Sequence, residues 1–174
     1  MRDSTPRRYD AKRGELDIDF VLHGDGPAST WAAQATPGQH LHIGGPRGSM
    51  IVPDMFDSYL LIGDETALPA IGRRLEELPA GRKVLAVIEI ADAAERQTLH
   101  SDAAVEVIWV LRGQDDLLET VQNLTLPEGS LYCFVATETQ LARRVRRVLL
   151  DTHRVNEEYL KAVGYWRADG SEEA

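Results

Sequence analysis

Cysteine is almost missing from this chain of 174 residues. Cys133 stands alone, so no intrachain disulfide can form, and its place inside the apolar run LYCFVA marks it as a core thiol rather than a nucleophile. Long apolar runs are missing too. None approaches the roughly 18 residues that a bilayer-spanning helix needs, and Met1 is followed by charged and polar residues instead of a signal peptide's apolar core. The expectation is a cytoplasmic protein with no membrane partner. Basic residues are outnumbered, 19 against 28, which gives a net charge of -9. A phosphate backbone is bound by basic surface, so nucleic acid is excluded as a general partner. There is no G-x-S-x-G elbow on which to build a hydrolase triad. His40 and His42, two apart on an expected strand, share a face but have no Cys, Asp or Glu ligand beside them, so no metal site is expected.

A glycine-rich phosphate loop is missing at the place where one would be sought. The stretch SYLLIGDETALPAI, Ser58 to Ile71, reads as a buried strand, a tight turn and the start of a helix. In nucleotide-binding proteins such a junction carries glycines, because bare backbone lets phosphates approach the helix N-terminus. Here its tip carries Asp64 and Glu65. Gly63 permits a tight turn, Thr66 suits an N-cap and Pro69 presets an early helical position. The two carboxylates would repel a pyrophosphate laid directly on them. They can accept bonds from ribose hydroxyls or cap the helix, and both readings stand.

What is present is enough for a sizeable core, with 43% hydrophobic residues. Residues 1–13 hold five basic residues, Arg2, Arg7, Arg8, Lys12 and Arg13, against Asp3 and Asp10. This reads as a solvated charged terminus, or as a basic edge suited to a small anionic ligand. ELDIDFVLH, Glu15 to His23, alternates Leu16, Ile18, Phe20 and Leu22 with acidic positions and predicts a half-buried strand. A glycine turn follows, then a short helix from Pro27 toward Ala35. TPGQHLHI predicts a turn and another strand, and GGPRGS a loop. This first part looks like pieces of a β-barrel.

From Ser58 the texture becomes alternating strands and helices. Strands are expected at Tyr59 to Ile62, Val84 to Ile90, Val105 to Val110 and Leu131 to Ala136. Helices are expected at Leu68 to Leu78, Asp115 to Asn123, Gln140 to Thr152 and Asn156 to Val163. Regular alternation implies an α/β fold, a Rossmann-like parallel sheet with helices on both faces, preceded by an incomplete antiparallel β-barrel segment. The boundary is placed near VPDMFDS, giving parts 1–56 and 57–174. A parallel sheet binds at the carboxyl ends of its strands, so Gly63 to Thr66, Ala136 to Glu138 and the chain after Gly164 should converge on one crevice. Three other segments point to ligands. Ser29 sits in a glycine turn at a helix start, a potential anion cradle or an ordinary cap. Arg47 is a lone guanidinium among small residues, a solvated loop residue or an anion contact. Tyr165 and Trp166 are aromatic rings aimed at the crevice or at the core. The cluster Arg143 to Arg147 reads as the solvated face of a helix whose buried stripe is Leu141, Val145, Val148 and Leu149, favoured by the helix C-terminal dipole.

Taken together, RDSTP, ELDIDFVLHGDGPASTWA, GGPRGS, LLIGDETALPAI, LPEG, VATE and GYW, in this order, resemble the siderophore-interacting protein family, flavin-dependent ferric-siderophore reductases related to ferredoxin reductases. The resemblance implies a β-barrel that binds FAD, then a Rossmann-like domain that receives NADH or NADPH, acting on a ferric siderophore. It implies that Arg2 and Thr5 belong to the flavin motif, and that His23, Gly26, Ala28 and Ser29 lie along the FAD phosphates and adenosine. Gly63, Asp64, Glu65, Thr66, Glu138, Tyr165 and Trp166 would belong to the cofactor crevice, with Arg47 drawing in an anionic substrate. Two positions depart from the family pattern: Ser4 stands for the flavin-stacking tyrosine, and Thr137 stands for glycine. The family also has on the order of a hundred residues, a domain-sized piece, ahead of this motif. The chain therefore looks like the C-terminal part of such a reductase. An incomplete barrel would expose strand edges and apolar surface and favour self-association.

Overall fold

The computed structural model describes residues 4–22, 26–45 and 51–168. The chain divides into two compact units, Met1–Met55 and Phe56–Ala174.

In the first unit β1, Pro6–Asp10, pairs antiparallel with β2, Glu15–Ile18. The turn between them is local chemistry. Asp10 Oδ1 accepts from the backbone N–H of Lys12 and Arg13 at 3.0 and 3.1 Å, and Gly14 takes the left-handed conformation at φ +66. Arg8 Nε donates across the pair to Asp17 at 2.6 Å. Helix α1, Pro27–Gln34, opens with proline in its first turn and Gly26 as N-cap, and Phe20 packs on Trp31 with ring centroids 5.7 Å apart.

Two expectations fail here. The strand expected over Glu15 to His23 stops at Ile18, because among the described residues β2 has only the five-residue β1 to pair with. The strand expected in TPGQHLHI is irregular chain, so His40 and His42 do not share a strand face. Conversely β1 lies inside the basic start of the chain. Its arginines are spread along a strand, Arg8 answered by Asp17, Asp10 and Glu15 and Arg7 by Asp19.

The second unit is a five-stranded parallel sheet in the order β5-β4-β3-β6-β7. The strands are β3 Ser58–Asp64, β4 Lys83–Ile90, β5 Ala104–Leu111, β6 Leu131–Glu138 and β7 Leu160–Trp166. Helices α2 Leu68–Glu77, α3 Leu117–Gln122 and α4 Thr139–Asp151 make the crossovers. All seven residues of β3 are buried, as a central strand covered on both faces requires. One face, with Leu60, Ile62, Leu85, Val87, Cys133 and Val135, packs on Val121 of α3 and on Ala142, Val145 and Leu149 of α4. On the other, α2 lies so close that a Cβ added to Gly63 would fall 2.5 Å from Ala67 Cβ and 3.1 Å from Ile71 Cδ1. Cys133 is buried, and burial pushes its thiol up to about 12, so it stays protonated.

The helix expected over Asn156 to Val163 is instead a short 3-10 turn, Glu157–Tyr159, followed by β7. Glu, Lys and Leu there favour helix locally, but pairing to β6 from Cys133↔Leu160 onward satisfies the backbone and covers Leu160. Arg143 to Arg147 lie in the middle of α4, whose last turn holds no basic residue, so the C-terminal dipole does not account for them.

The amino end of the sheet is closed by Asp57. Its Oδ2 accepts from Ser130 N at 2.9 Å and Ser130 Oγ at 2.8 Å, and these bonds hold the carboxyl below its ordinary value of 3.8. A carboxyl depressed in the folded state adds stability above the unfolded value and loses it as pH falls toward the folded one. Asp57→Asn should therefore flatten the acid limb of the urea midpoint against pH below 3.8. An acid limb as steep as that of the wild type would contradict this.

Candidate functional site

Strand order reverses at β3, with β4 on one side and β6 on the other. A parallel sheet opens its ligand crevice at the carboxyl ends of the strands beside such a reversal. Gly63 pairs with Ala136 there, and Asp64 follows.

Asp64 is fully buried. Its Oδ1 accepts from the backbone N–H of Thr66 at 2.9 Å and from the Thr66 hydroxyl. Its Oδ2 accepts from the Thr137 hydroxyl at 2.8 Å and from Trp166 Nε1 at 2.8 Å. Four donors, from the β3 turn, β6 and β7, satisfy one carboxylate. A buried charge requires this, since each unpaired oxygen would carry its full desolvation cost. Asp64 caps the 3-10 turn Glu65–Ala67, and α2 then starts from Ala67 with no side-chain cap. Thr66 is thus a donor to Asp64, not the N-cap of α2, because its hydroxyl is already turned back onto the carboxylate. Pro69 does occupy the first turn.

Glu65 faces the other way. Arg112, just past β5, grips it with two bonds, Nη1 to Oε1 at 2.8 Å and Nη2 to Oε2 at 2.7 Å. The Arg112 Nε donates to Glu89, at the end of β4, at 3.0 Å. The Glu65 contact holds the guanidinium pKa above its ordinary value against the opposing effect of burial. Burial raises the Glu89 carboxyl, with Arg112 opposing and Asp64 and Glu65 adding to the rise. Glu138 caps α4, its carboxylate accepting from Leu141 N at 2.8 Å. At the end of β7, Tyr165 is 41% exposed while Trp166 points its indole N–H at Asp64.

The carboxyl end of the sheet therefore brings together Gly63, Asp64, Glu65, Thr66, Glu138 and Trp166. In the first unit Gly26, Ala28 and Ser29 form the start of α1, with Ser29 buried, and Thr5 precedes β1. Arg2, His23 and Arg47 lie outside the described residues. Sequence reasoning passed over Arg112, Glu89 and Thr139. Their signal was position: each stands at or just beyond the carboxyl end of a strand. Thr137 was seen as a departure from glycine, and its hydroxyl proves to be one of the four donors. Among the described residues no group of three or more His, Cys, Asp or Glu is placed to hold a metal ion, and no helix is long and apolar enough to cross a membrane.

Two family models match the chain. The siderophore-interacting protein model covers residues 56–169, and the siderophore-interacting FAD-binding domain model covers residues 1–50. The chain is 33% identical to the ferric vibriobactin reductase ViuB of Vibrio cholerae over 99% of its own length and 66% of the relative's. It is 31% identical to the NADPH-dependent ferric-chelate reductase of Escherichia coli over 96% of its length and again 66% of the relative's. Among solved structures, a siderophore utilization protein from T. fusca superposes with a TM-score of 0.90 at 40% identity, covering 99% of this chain and 68% of that one. The chain thus spans about two thirds of the length of the curated relatives it matches.

Removing the guanidinium that separates Glu65 from Glu89 should expose their mutual repulsion. In the folded state Glu89 already holds its proton above the ordinary 4.5, so its contribution favours folding at low pH and is lost as pH rises through the raised value. Arg112→Ala should raise it further and cost roughly 1–3 kcal/mol. The gap to wild type should widen in urea unfolding as pH rises above the ordinary 4.5. A gap that stays constant across that range would show that the triad is not electrostatically coupled.

Proposed function

Because the chain belongs to the siderophore-interacting protein family, we propose that it serves NAD(P)H-dependent, FAD-mediated reduction of ferric siderophores in the cytoplasm, with release of the weaker-held ferrous ion. The observation that carries this reading is the state of the acidic turn. Asp64 is buried among four donors and Glu65 is gripped by Arg112, so neither carboxylate is left uncompensated beside the uncapped start of α2. With both carboxylates matched by protein donors, the turn does not present bare negative charge to a pyrophosphate. The residues present therefore fit a nicotinamide dinucleotide at the carboxyl ends of β3 and β6. The match of residues 1–50 to the FAD-binding model supports a flavin on the first unit.

When bound, the flavin supplies the step-down from a hydride donor, which gives two electrons, to ferric iron, which takes one at a time. In balance, one NAD(P)H becomes NAD(P)+ and a proton while two ferric ions become ferrous. In this reading the protein's own residues bind and orient. Gly63 allows α2 to sit close on β3. Glu138 fixes the start of α4, and Tyr165 and Trp166 border the crevice. Arg2, Thr5, His23, Gly26, Ala28 and Ser29 serve the flavin, and Arg47 attracts an anionic ferric chelate. No side-chain acid or base is required for electron transfer to the metal.

A second reading is favoured by the first unit's apolar surface. Tyr9 is 65%, Leu22 59%, Ile43 60% and Ile51 86% exposed, apolar side chains that another chain could cover. On this reading the chain is a cofactor-binding module that gains its flavin site through self-association or a partner chain. One experiment separates the two. Purified protein supplied with FAD and either NADH or NADPH should retain flavin through gel filtration and reduce a ferric chelate, with retention independent of protein concentration. Flavin retained only where sedimentation shows a dimer supports the module reading, and a monomer that retains no flavin and reduces no iron would sink the reductase proposal for this chain.

A further inference from the structure

Strand β5 stands at one edge of the parallel sheet, with β4 on one side and, among the described residues, no strand on the other. The register decides which of its backbone groups face that open side. Ala104 N–H donates to the Arg82 carbonyl at 2.9 Å, Arg112 N–H donates to the Ile90 carbonyl at 2.9 Å, and the pairing between these two bonds is unbroken. A strand turns its backbone groups to alternate sides. Ala104, Glu106, Ile108, Val110 and Arg112 therefore bond inward to β4, while Ala103, Val105, Val107, Trp109 and Leu111 face outward. Both ends of the outward row are already taken. Ser101 Oγ accepts from Ala103 N–H at 3.1 Å. Asp115 Oδ2 accepts from Leu111 N–H at 3.1 Å, and the Leu111 carbonyl accepts from Asp115 N–H at 2.9 Å. Between these two closures, Val105, Val107 and Trp109 have no partner for their outward groups among the described residues. Exposed edges are ordinarily blunted by charge or proline. Here the strand reads AVEVIWVL, with Glu106 its one charge and no proline.

We propose that this edge pairs antiparallel with the same edge of a second copy of the chain, about a two-fold axis at Val107, joining two five-stranded sheets into one. The occupant follows from self-complementarity, which a two-fold interface requires. An axis at Val107 sets Val107 opposite Val107 and Val105 opposite Trp109, so every open group of one copy meets an open group of the other. Neighbouring registers do worse. An axis at Glu106 lays the two carboxylates against each other and matches Trp109 with Ala103, whose N–H Ser101 already holds. An axis at Ile108 matches Val105 with Leu111, whose groups Asp115 already holds. In the favoured register Glu106 lies opposite Ile108, and Val105 beside Trp109 makes a β-branched and aromatic cross-strand pair of the stabilising kind. The ladder is short, so the dimer belongs to the weak, concentration-dependent class. It uses the second unit alone and rests on neither the flavin nor the dinucleotide reading.

Sedimentation equilibrium of the whole chain, over a concentration series spanning the micromolar range, tests this. The wild type should pass from monomer to dimer. Val107→Pro removes an outward N–H and no bond to β4, as an edge position tolerates, and should weaken the dimer roughly tenfold or more. Where that variant fails to fold, Val107→Lys, which lays like charges opposite each other across the axis, carries the same comparison. Val107→Cys reads the register. The two copies' Cα atoms at that position would lie about 5.5 Å apart, within disulfide reach, so mild oxidation should cross-link the dimer. Val105→Cys, which faces Trp109, should stay uncross-linked, and Cys133 is buried and does not compete. A chain that stays monomeric throughout the series overturns the proposal. So does a dimer that Val107→Pro and Val107→Lys leave unmoved, because it is built on another surface.

Discussion

A carboxylate shut off from water has to be surrounded by donors, and Asp64 makes the fold supply them. The cost of desolvating an unpaired buried charge is several kcal/mol, as large as emptying a core position of a large apolar side chain. Every chain segment that brings a donor is therefore held in register. The Thr66 N–H fixes the turn after β3, Thr137 fixes the end of β6, and Trp166 fixes the end of β7. The bulge at Tyr165, the close approach of Gly164 to Thr139 and the start of α4 at Glu138 then take their places around that point. One side chain that is invisible from the surface thus ties together the carboxyl ends of β3, β6 and β7.

The same constraint resolves how an acidic turn can occupy a position where anion-binding folds use glycine. Charge at a strand-to-helix turn repels phosphate only while it is uncompensated. Asp64 turns inward and is consumed by protein donors, and Glu65 turns outward and is matched by a guanidinium that Glu89 also holds. Arg112 lies two strands away from β3 in the sheet order, so the compensation is a tertiary achievement rather than a local one. The glycine that remains, Gly63, serves helix-on-strand packing, where a Cβ would strike Ala67 and the Ala136 carbonyl.

Much of this architecture was legible in the residues. The buried runs of β3, β4, β5 and β6 announce parallel strands because a strand covered on both faces must be apolar throughout, and α2 and α4 announce themselves by periodicity. The convergence of the Gly63 turn, Glu138 and the end of β7 at one end of the sheet followed from strand alternation, and the family from the ordered motifs. What could not be read was whatever depends on partners distant in sequence. β7 looked helical because Glu, Lys and Leu carry helix propensity, and only the exposed ladder of β6 made it a strand. β1 was hidden in a charged terminus because its arginines are satisfied across a hairpin. Thr66 looked like a cap because local spacing does not reveal that its hydroxyl turns back to Asp64. Thr137 looked like lost backbone access because nothing in its own neighbourhood shows that Asp64, 73 positions away, needs its hydroxyl.

The central claim is that the Trp166 indole proton is donated to a buried carboxylate, and hydrogen exchange of that proton in an 15N-labelled protein reads it directly. The three tryptophans, Trp31, Trp109 and Trp166, give separate indole signals that single Phe replacements assign. The account predicts that the Trp166 signal is shifted downfield and exchanges with solvent far more slowly than that of a solvent-accessible indole, with protection lost in Asp64→Asn. A Trp166 indole proton that exchanges as fast as an exposed one in the folded wild-type protein would contradict it.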